Sequence, residues 1–291
     1  MDFIQLLVTG VLVGGTYALL ASGLGLIFGV MRIVNFAQAD FMMLAMFAAF
    51  ILWNGLSIDP FLAIPLVFIA FVALGMAVHR GLLQRVSGRR ENHDAQVILT
   101  LGIGLILQSL VLLTFSATPR LINLPYGQNG FFIGELFIDR PRLFAFLTAV
   151  VVAVALFAFL NLTRTGRAVR AASADWEAAT YMGIDVQRTH RLAFGIGIGL
   201  TAVGGVALAT FYPFGPFTGL DFVVVMFAAV VLGGLGSTAG AFAGGVLIGV
   251  VQQVSQLWSP ASLSNVYVFV LFLLILLLRP QGLFGKVSRA I

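Results

Sequence analysis

Cysteine is absent from this chain and lysine occurs once, at Lys286. The first absence excludes disulfides and thiolate metal sites. The second excludes a nucleotide-hydrolysing phosphate loop, because Gly-x-x-x-x-Gly-Lys-[Ser/Thr] needs a lysine before a hydroxyl residue and Lys286 precedes Val287. Charge is scarce too: 9% of residues are charged, against roughly a quarter in soluble domains. His79, His93 and His190 are read at separate cytoplasmic edges, far from Ser109 and Ser237. That arrangement gives neither a metal cluster nor a nucleophile and base pair, so no catalytic residue is expected. What remains is 60% hydrophobic with a mean hydropathy of +1.06, the composition of a polytopic membrane protein. The net charge of +5 belongs to arginine in cytoplasmic loops and not to a nucleic-acid surface.

A span needs about 20 mostly apolar residues. Candidates run at Phe3 to Phe28, Phe36 to Trp53, Phe61 to Val78, Ala95 to Phe115, Leu143 to Leu162, Leu192 to Phe211, Phe222 to Leu235, Ala239 to Leu257 and Tyr267 to Leu278. The fold class is therefore an all-α bundle of about 8–9 transmembrane helices, some of them short or broken by glycine. Met1 to Gln5 carries no basic region or cleavage site, so the first segment is read as a retained span. Arginine orients the chain. Arg80, Arg85, Arg89 and Arg90 mark one cytoplasmic loop, residues 164–191 a second, and Arg279, Lys286 and Arg289 a cytoplasmic tail. The N-terminus then lies outside, as does the stretch from Ser116 to Arg142, where Arg120, Arg140 and Arg142 run mildly against the rule.

Between Thr163 and Leu192 stands a polar island with Arg164, Arg167, Arg170, Arg188 and Arg191. Its middle reads as a short helix. Ser173 or Asp175 offers a cap, Glu177 suits the first turn, and Gly183 is a natural stop. Trp176, Ala179, Thr180 and Gly183 then form a ridge, aromatic at one end and small at the other, able to enter a groove on another protein.

Two places are unlike plain spans. Arg32, Asn35, Gln38 and Asp40 interrupt apolar sequence; they read either as a cytoplasmic turn or as polar groups facing a bundle interior or cavity. Gly233, Gly234 and Gly236 divide a short apolar segment from a longer one, as either a discontinuous helix beside a pathway or a tight helix-helix turn. Glycines at four-residue spacing (Gly10 and Gly14, Gly25 and Gly29, Gly195 and Gly199, Gly240 and Gly244, Gly245 and Gly249) allow close helix approach. Gln108, Gln252 and Gln253 are intramembrane amides suited to gluing helices or lining a path, and the pore is read as largely apolar, fit for an uncharged or zwitterionic solute.

Glu177, Ala178, Ala179 and Gly183 resemble the Glu-Ala-Ala, three residues, Gly coupling motif of ABC importer permeases, without the Leu-Pro that often follows. Asn35-Phe36-Ala37, the run Val231 to Ser237 with Gly240-Ala241 and Gly244-Gly245, and the tail Arg279 to Gly285 are similar to the LivH and LivM family of branched-chain amino-acid permeases, nearest its LivH branch. Gln38-Ala39 stands where that family commonly has His-Gly. The resemblance implies one permease domain over residues 1–291, with 164–191 as its coupling segment, in a bacterial inner membrane. It implies a second permease, two ATPase subunits that carry the ATP and magnesium, and a periplasmic binding protein; this chain would meet lipid but hold no cofactor or metal and be no enzyme. The coupling residues would be Trp176, Glu177, Ala178, Ala179, Gly183 and Arg188, and the translocation path would use Asn35, Gln38, Asp40, Gln108, Gly233, Gly234, Gly236 and Gln252. Urea or short amides are an alternative cargo. An ion-coupled secondary transporter is an alternative class, with Asp40 and Asp221, both close to span ends, as the sole carboxylate candidates.

Overall fold

The chain is described from a computed structural model that covers residues 2–87, 93–127, 130–279 and 282–283. Arg89, Arg90, Lys286 and Arg289, and the tail residues Pro280, Gln281, Phe284 and Gly285, lie outside the described residues. In chain order the helices are α1 (Asp2–Met31), α2 (Gln38–Leu56), α3 (Pro60–Val78), α4 (Gln84–Ser87), α5 (His93–Phe115), α6 (Arg140–Leu162), α7 (Arg164–Ala174), α8 (Trp176–Tyr181), α9 (Val186–Leu208), α10 (Thr218–Gly233), α11 (Thr238–Val254) and α12 (Ser264–Leu278). A π-helical turn, His79–Leu83, joins α3 to α4. Among the described residues eight helices are long and apolar enough to cross a membrane, while α10 is a shorter apolar helix. One element lies outside the all-helical reading: an antiparallel hairpin of β1 (Gly130–Ile133) and β2 (Leu136–Asp139) before α6.

Two helices form the axis of the bundle. The most apolar stretch of α1 is 89% buried and that of α9 is 83% buried, whereas α3 and α6 each stand at 22% and α12 at 17%. The glycine spacing explains how α1 is enclosed. A Cβ on Gly10 would lie 2.7 Å from the Cα of Val250, and one on Gly14 would lie 2.7 Å from the carbonyl oxygen of Val246, so α1 and α11 touch backbone to backbone. In lipid this close approach supplies the dispersion that water-driven burial supplies elsewhere.

The helices form two halves of opposite direction. The series α1, α2, α3, α5 is repeated as α9, α10, α11, α12: α1 packs on α11 as α9 packs on α3, and α2 adjoins α5 as α10 adjoins α12. The two middle members keep a trace of this in sequence, Asp40-Phe41 followed by Met46-Phe47-Ala48-Ala49 in α2 and Asp221-Phe222 followed by Met226-Phe227-Ala228-Ala229 in α10. Repeats of inverted topology place discontinuous helices near the membrane centre, and α2 and α10 are those helices here.

The link from α1 to α2 is therefore not a cytoplasmic turn. The backbone reverses at Arg32, with φ of 52°, and re-enters the bundle, so that Gln38 at the start of α2 bonds to Gly197 in the middle of α9. Non-helical backbone is tolerated at this depth only when protein encloses it, and Asn35 and Ala37 are fully buried. The link from α9 to α10 mirrors it from the other side. Phe214 exchanges backbone hydrogen bonds of 2.8 and 2.9 Å with Arg120 and packs on Phe47 and Phe50 near the outer end of α2. The chain then descends until Gly219 rests on Asp40. Both aspartates stand near helix starts, as the sequence indicates, and those two starts meet one another at Gly219 and Asp40.

The arginines on the wrong side of the charge rule have aromatic partners. Arg120 lies over the rings of Phe50 and Phe115, Arg140 over Phe131 and Arg142 over Phe211, at 4.8–5.8 Å. Arg142 also pairs with Asp139 at 3.5 Å. Each guanidinium is thus held at the outer boundary by a π face, and topology is left to the denser arginine clusters at the opposite end.

Candidate functional site

Where the starts of α2 and α10 meet, four polar side chains gather in two hydrogen-bonded groups, Asn35 with Gln38 and Asp40 with Gln108. Asn35 Nδ2 donates to Gln38 Oε1 at 2.9 Å. Gln38 Nε2 donates to the Gly197 carbonyl at 3.2 Å and to the Thr201 hydroxyl. Gln108 Nε2, reaching across from α5, donates to Asp40 Oδ1 at 2.8 Å. All four are buried within this chain. Asp40 occupies the first turn of α2, whose cap residue Ala37 offers no side-chain acceptor; a carboxylate there faces the positive end of the helix dipole. The structure thus brings Asn35, Gln38, Asp40 and Gln108 together, as a junction between α2, α5, α9 and α10. One buried acceptor, Asn35 Oδ1, has no hydrogen-bond partner.

The other four residues expected on the pathway lie elsewhere. Gly233, Gly234 and Gly236 form a tight turn between α10 and α11 at the cytoplasmic end, with Gly234 and Gly236 at φ of 97° and 89°. The backbones of Gly233 and Gly240 touch there, leaving no room for a Cβ on either. Leu283 of the tail donates its amide to Leu232 beside this turn. Gln252, in the outer half of α11, accepts from the Tyr17 hydroxyl at 2.7 Å and donates to Asn265 at 2.8 Å, tying α1, α11 and α12. The break that enters the membrane is therefore at the start of α10 and not at its glycine-rich end.

The polar island holds the expected short helix in its middle, α8, and a second helix, α7, before it. Thr163 caps α7 by accepting from Gly166 N, Asp175 caps α8 by accepting from Ala178 N, and Asp185 caps α9 by accepting from Arg188 N, each at 2.9 Å. Of the two cap candidates Asp175 serves. Ser173 instead donates to the Gly29 carbonyl at 2.6 Å, fastening α7 to the end of α1. Gly183 takes φ of +80° and ends α8, and the Ile184 amide returns to the Ala179 carbonyl.

One member of the expected ridge is turned inward. Ala179 is buried against the chain's own body, while Trp176, Glu177, Ala178, Thr180 and Gly183 are exposed. Tyr181 and Met182, which sequence reasoning passed over, are 88% and 83% exposed. An aromatic and a thioether offered to solvent at the arginine-rich end form an unpartnered apolar knob; the signal available in the sequence was two large apolar residues directly before a stop glycine. Arg188 is exposed in the first turn of α9.

Behind the knob lies a cavity of about 660 Å³, bounded by Arg32, Ile33, Trp176, Thr180, His79 and His190 among others. It joins the coupling segment to the start of the re-entrant link. The sequence reading put His79 and His190 in separate loops; the structure places them on the π-helical turn and on α9, facing the same cavity.

A profile of the family described as "Branched-chain amino acid transport system / permease component" matches residues 6–278. The chain is similar to the high-affinity branched-chain amino acid transport system permease protein LivH of Salmonella typhimurium, 32% identical over 98% of this chain and 96% of that one. It is similar to the corresponding protein BraD of Pseudomonas aeruginosa, 31% identical over 98% and 96%. A probable LivH of Methanocaldococcus jannaschii is 27% identical over 92% and 88%. No solved structure matches.

Proposed function

The chain belongs to the family of branched-chain amino-acid transport permease components, and on that premise we propose how its parts serve ATP-driven import. It is a multi-pass membrane transport subunit and not an enzyme; the family implies an ABC transporter complex with permease, ATPase and binding-protein partners. The cargo is a branched-chain amino acid, in keeping with the names of the relatives. The observation that carries the coupling assignment is the exposed knob of Trp176, Tyr181 and Met182 on a short helix capped by Asp175 and stopped by Gly183.

In this reading an ATPase subunit grips α8, while a second permease completes the membrane path. Displacement of α8 moves α7, and the Ser173 to Gly29 hydrogen bond passes that movement to the end of α1, where the re-entrant link begins. The link ends at Gln38 and Asp40, so a shift at the cytoplasmic end changes how the starts of α2 and α10 meet. Rigid helices sliding on glycine seams suit alternating access, in which the path opens to one side at a time.

Copurification tests the grip. Glu177→Lys and Gly183→Leu leave the chain inserted in the membrane and abolish ATPase association; unchanged copurification of the ATPases would defeat the assignment. The two intramembrane carboxylates favour a second reading, ion-coupled transport. Uptake that persists under an uncoupler with ATP held high supports the ATP-driven reading, and loss of uptake supports the other.

A further inference from the structure

Asp221 lies in the first turn of α10, and three contacts fix its depth. Gly219 packs so closely on the start of α2 that a Cβ there would lie 2.6 Å from Asp40 Oδ1. Tyr17, halfway along α1, sets its ring edge-on to Phe222 at 5.8 Å. Phe115 ends α5, whose span runs Asp94–Phe115, and Gln108 of the same helix reaches Asp40, so this level lies about 10 Å along that span from its outer end at 1.5 Å per residue. Asp221 is nevertheless exposed on the surface of the chain. Among the described residues no side chain donates to its carboxylate or forms an ion pair with it. Its repeat counterpart Asp40, by contrast, is buried and bonded to Gln108.

A carboxylate directed into hydrocarbon is costly even on the most lenient scale. The first-turn helix dipole and the nearby Tyr212 offset only part of that cost, so the face that carries Asp221 is not a lipid face. Its surroundings indicate what passes by: Phe217, Leu220 and Val224 are 48%, 57% and 45% exposed around the carboxylate. A lone negative group within an apolar border matches a solute with one cationic centre and a branched hydrocarbon side chain.

We propose that Asp221 lines the water-filled path and holds the α-ammonium group of the amino acid during passage. This rests on the amino-acid import reading above and adds a specificity-determining residue to it.

The absence of native cysteine permits a direct test in proteoliposomes containing the complete complex. In the Asp221→Cys variant, a membrane-impermeant cationic thiol reagent reacts at least about tenfold faster than in Val154→Cys, whose position on the apolar span α6 is 63% exposed on the surface of the chain. Equal rates would overturn the proposal. Asp221→Asn lowers ATP-driven leucine uptake at least about tenfold with subunit composition unchanged, and Asp221→Glu restores most of it, as the loss of a charge-assisted hydrogen bond requires. Wild-type uptake by Asp221→Asn, or equal loss in the Asn and Glu variants, would also overturn it. A wild-type complex that takes up no leucine with ATP defeats the import reading itself, and the wild-type arm alone reveals that.

Discussion

The helices α2 and α10 carry the same Asp-Phe pair in their first turns and meet there, yet one aspartate is sealed and the other is bare. Around Asp40 the chain supplies an amide donor from α5 and the mass of α9, with Gln38 bonded behind it. Around Asp221 it supplies only apolar side chains and the nearby Tyr212. A sequence repeat thus fixes geometry without fixing chemistry: the first copy braces the junction, and the second presents a charge to whatever lies outside the chain. Inverted symmetry places both helix starts at the centre, and local covering decides which becomes structural.

The largest effect comes from breaking the place where the two copies touch. Gly219→Val puts a branched side chain against the Asp40 carboxylate, which Gln108 holds by a hydrogen bond, and against the Ala39 backbone. Overpacking of this kind costs about 1–3 kcal/mol or more, so the purified protein loses thermal stability by several degrees or fails to accumulate; a melting temperature equal to that of the unaltered chain would show that the half-helices are not in contact. A smaller effect separates the aspartates. Asp40→Leu leaves the buried Gln108 amide without its acceptor, at about 1–3 kcal/mol, whereas Asp221→Leu leaves stability within about 0.5 kcal/mol, as for surface positions. Equal melting shifts for the two variants would erase the distinction. Asp40→Asn, which keeps an acceptor oxygen for Gln108, preserves complex formation.

Much of this was legible in the residues because hydrocarbon leaves few options. Apolar runs and arginine clusters mark spans and sides, and the glycine pairs of α1 and α11 become the backbone seam they suggest. The coupling segment was legible through its caps, but the inward turn of Ala179 was not, since which face of a short helix turns inward depends on α9 and not on α8 itself. The re-entrant links were not legible: hydropathy reports whether a segment suits lipid, and neither 32–37 nor 209–217 reveals its depth without the partner that encloses it. The Asp-Phe repeat was the available signal for Asp221. Its spacing differs by one residue between the copies, so a search for strict periodicity passes over it.

The smallest prediction concerns the far ends of the same two helices. The glycine turn after α10 is closed by backbone contact, whereas α2 is followed by Asp59, which accepts from the Phe61 amide at 2.9 Å to cap α3 and receives the Tyr126 hydroxyl at 2.5 Å from the outer loop. Burial, together with the hydrogen bond and negative charge of Asp59, raises the Tyr126 phenol above its ordinary value. A group whose folded pKa is raised stabilises fully below its unfolded pKa and loses that contribution as pH rises through the folded one. The α2–α3 end therefore weakens only on the alkaline side of about pH 10. Tyr126→Phe removes about 1 kcal/mol at neutral pH and abolishes this part of the alkaline loss. Thermal melts of both proteins from neutral pH upward should converge at the alkaline end; parallel curves would show that the phenol does not secure the outer end of α2.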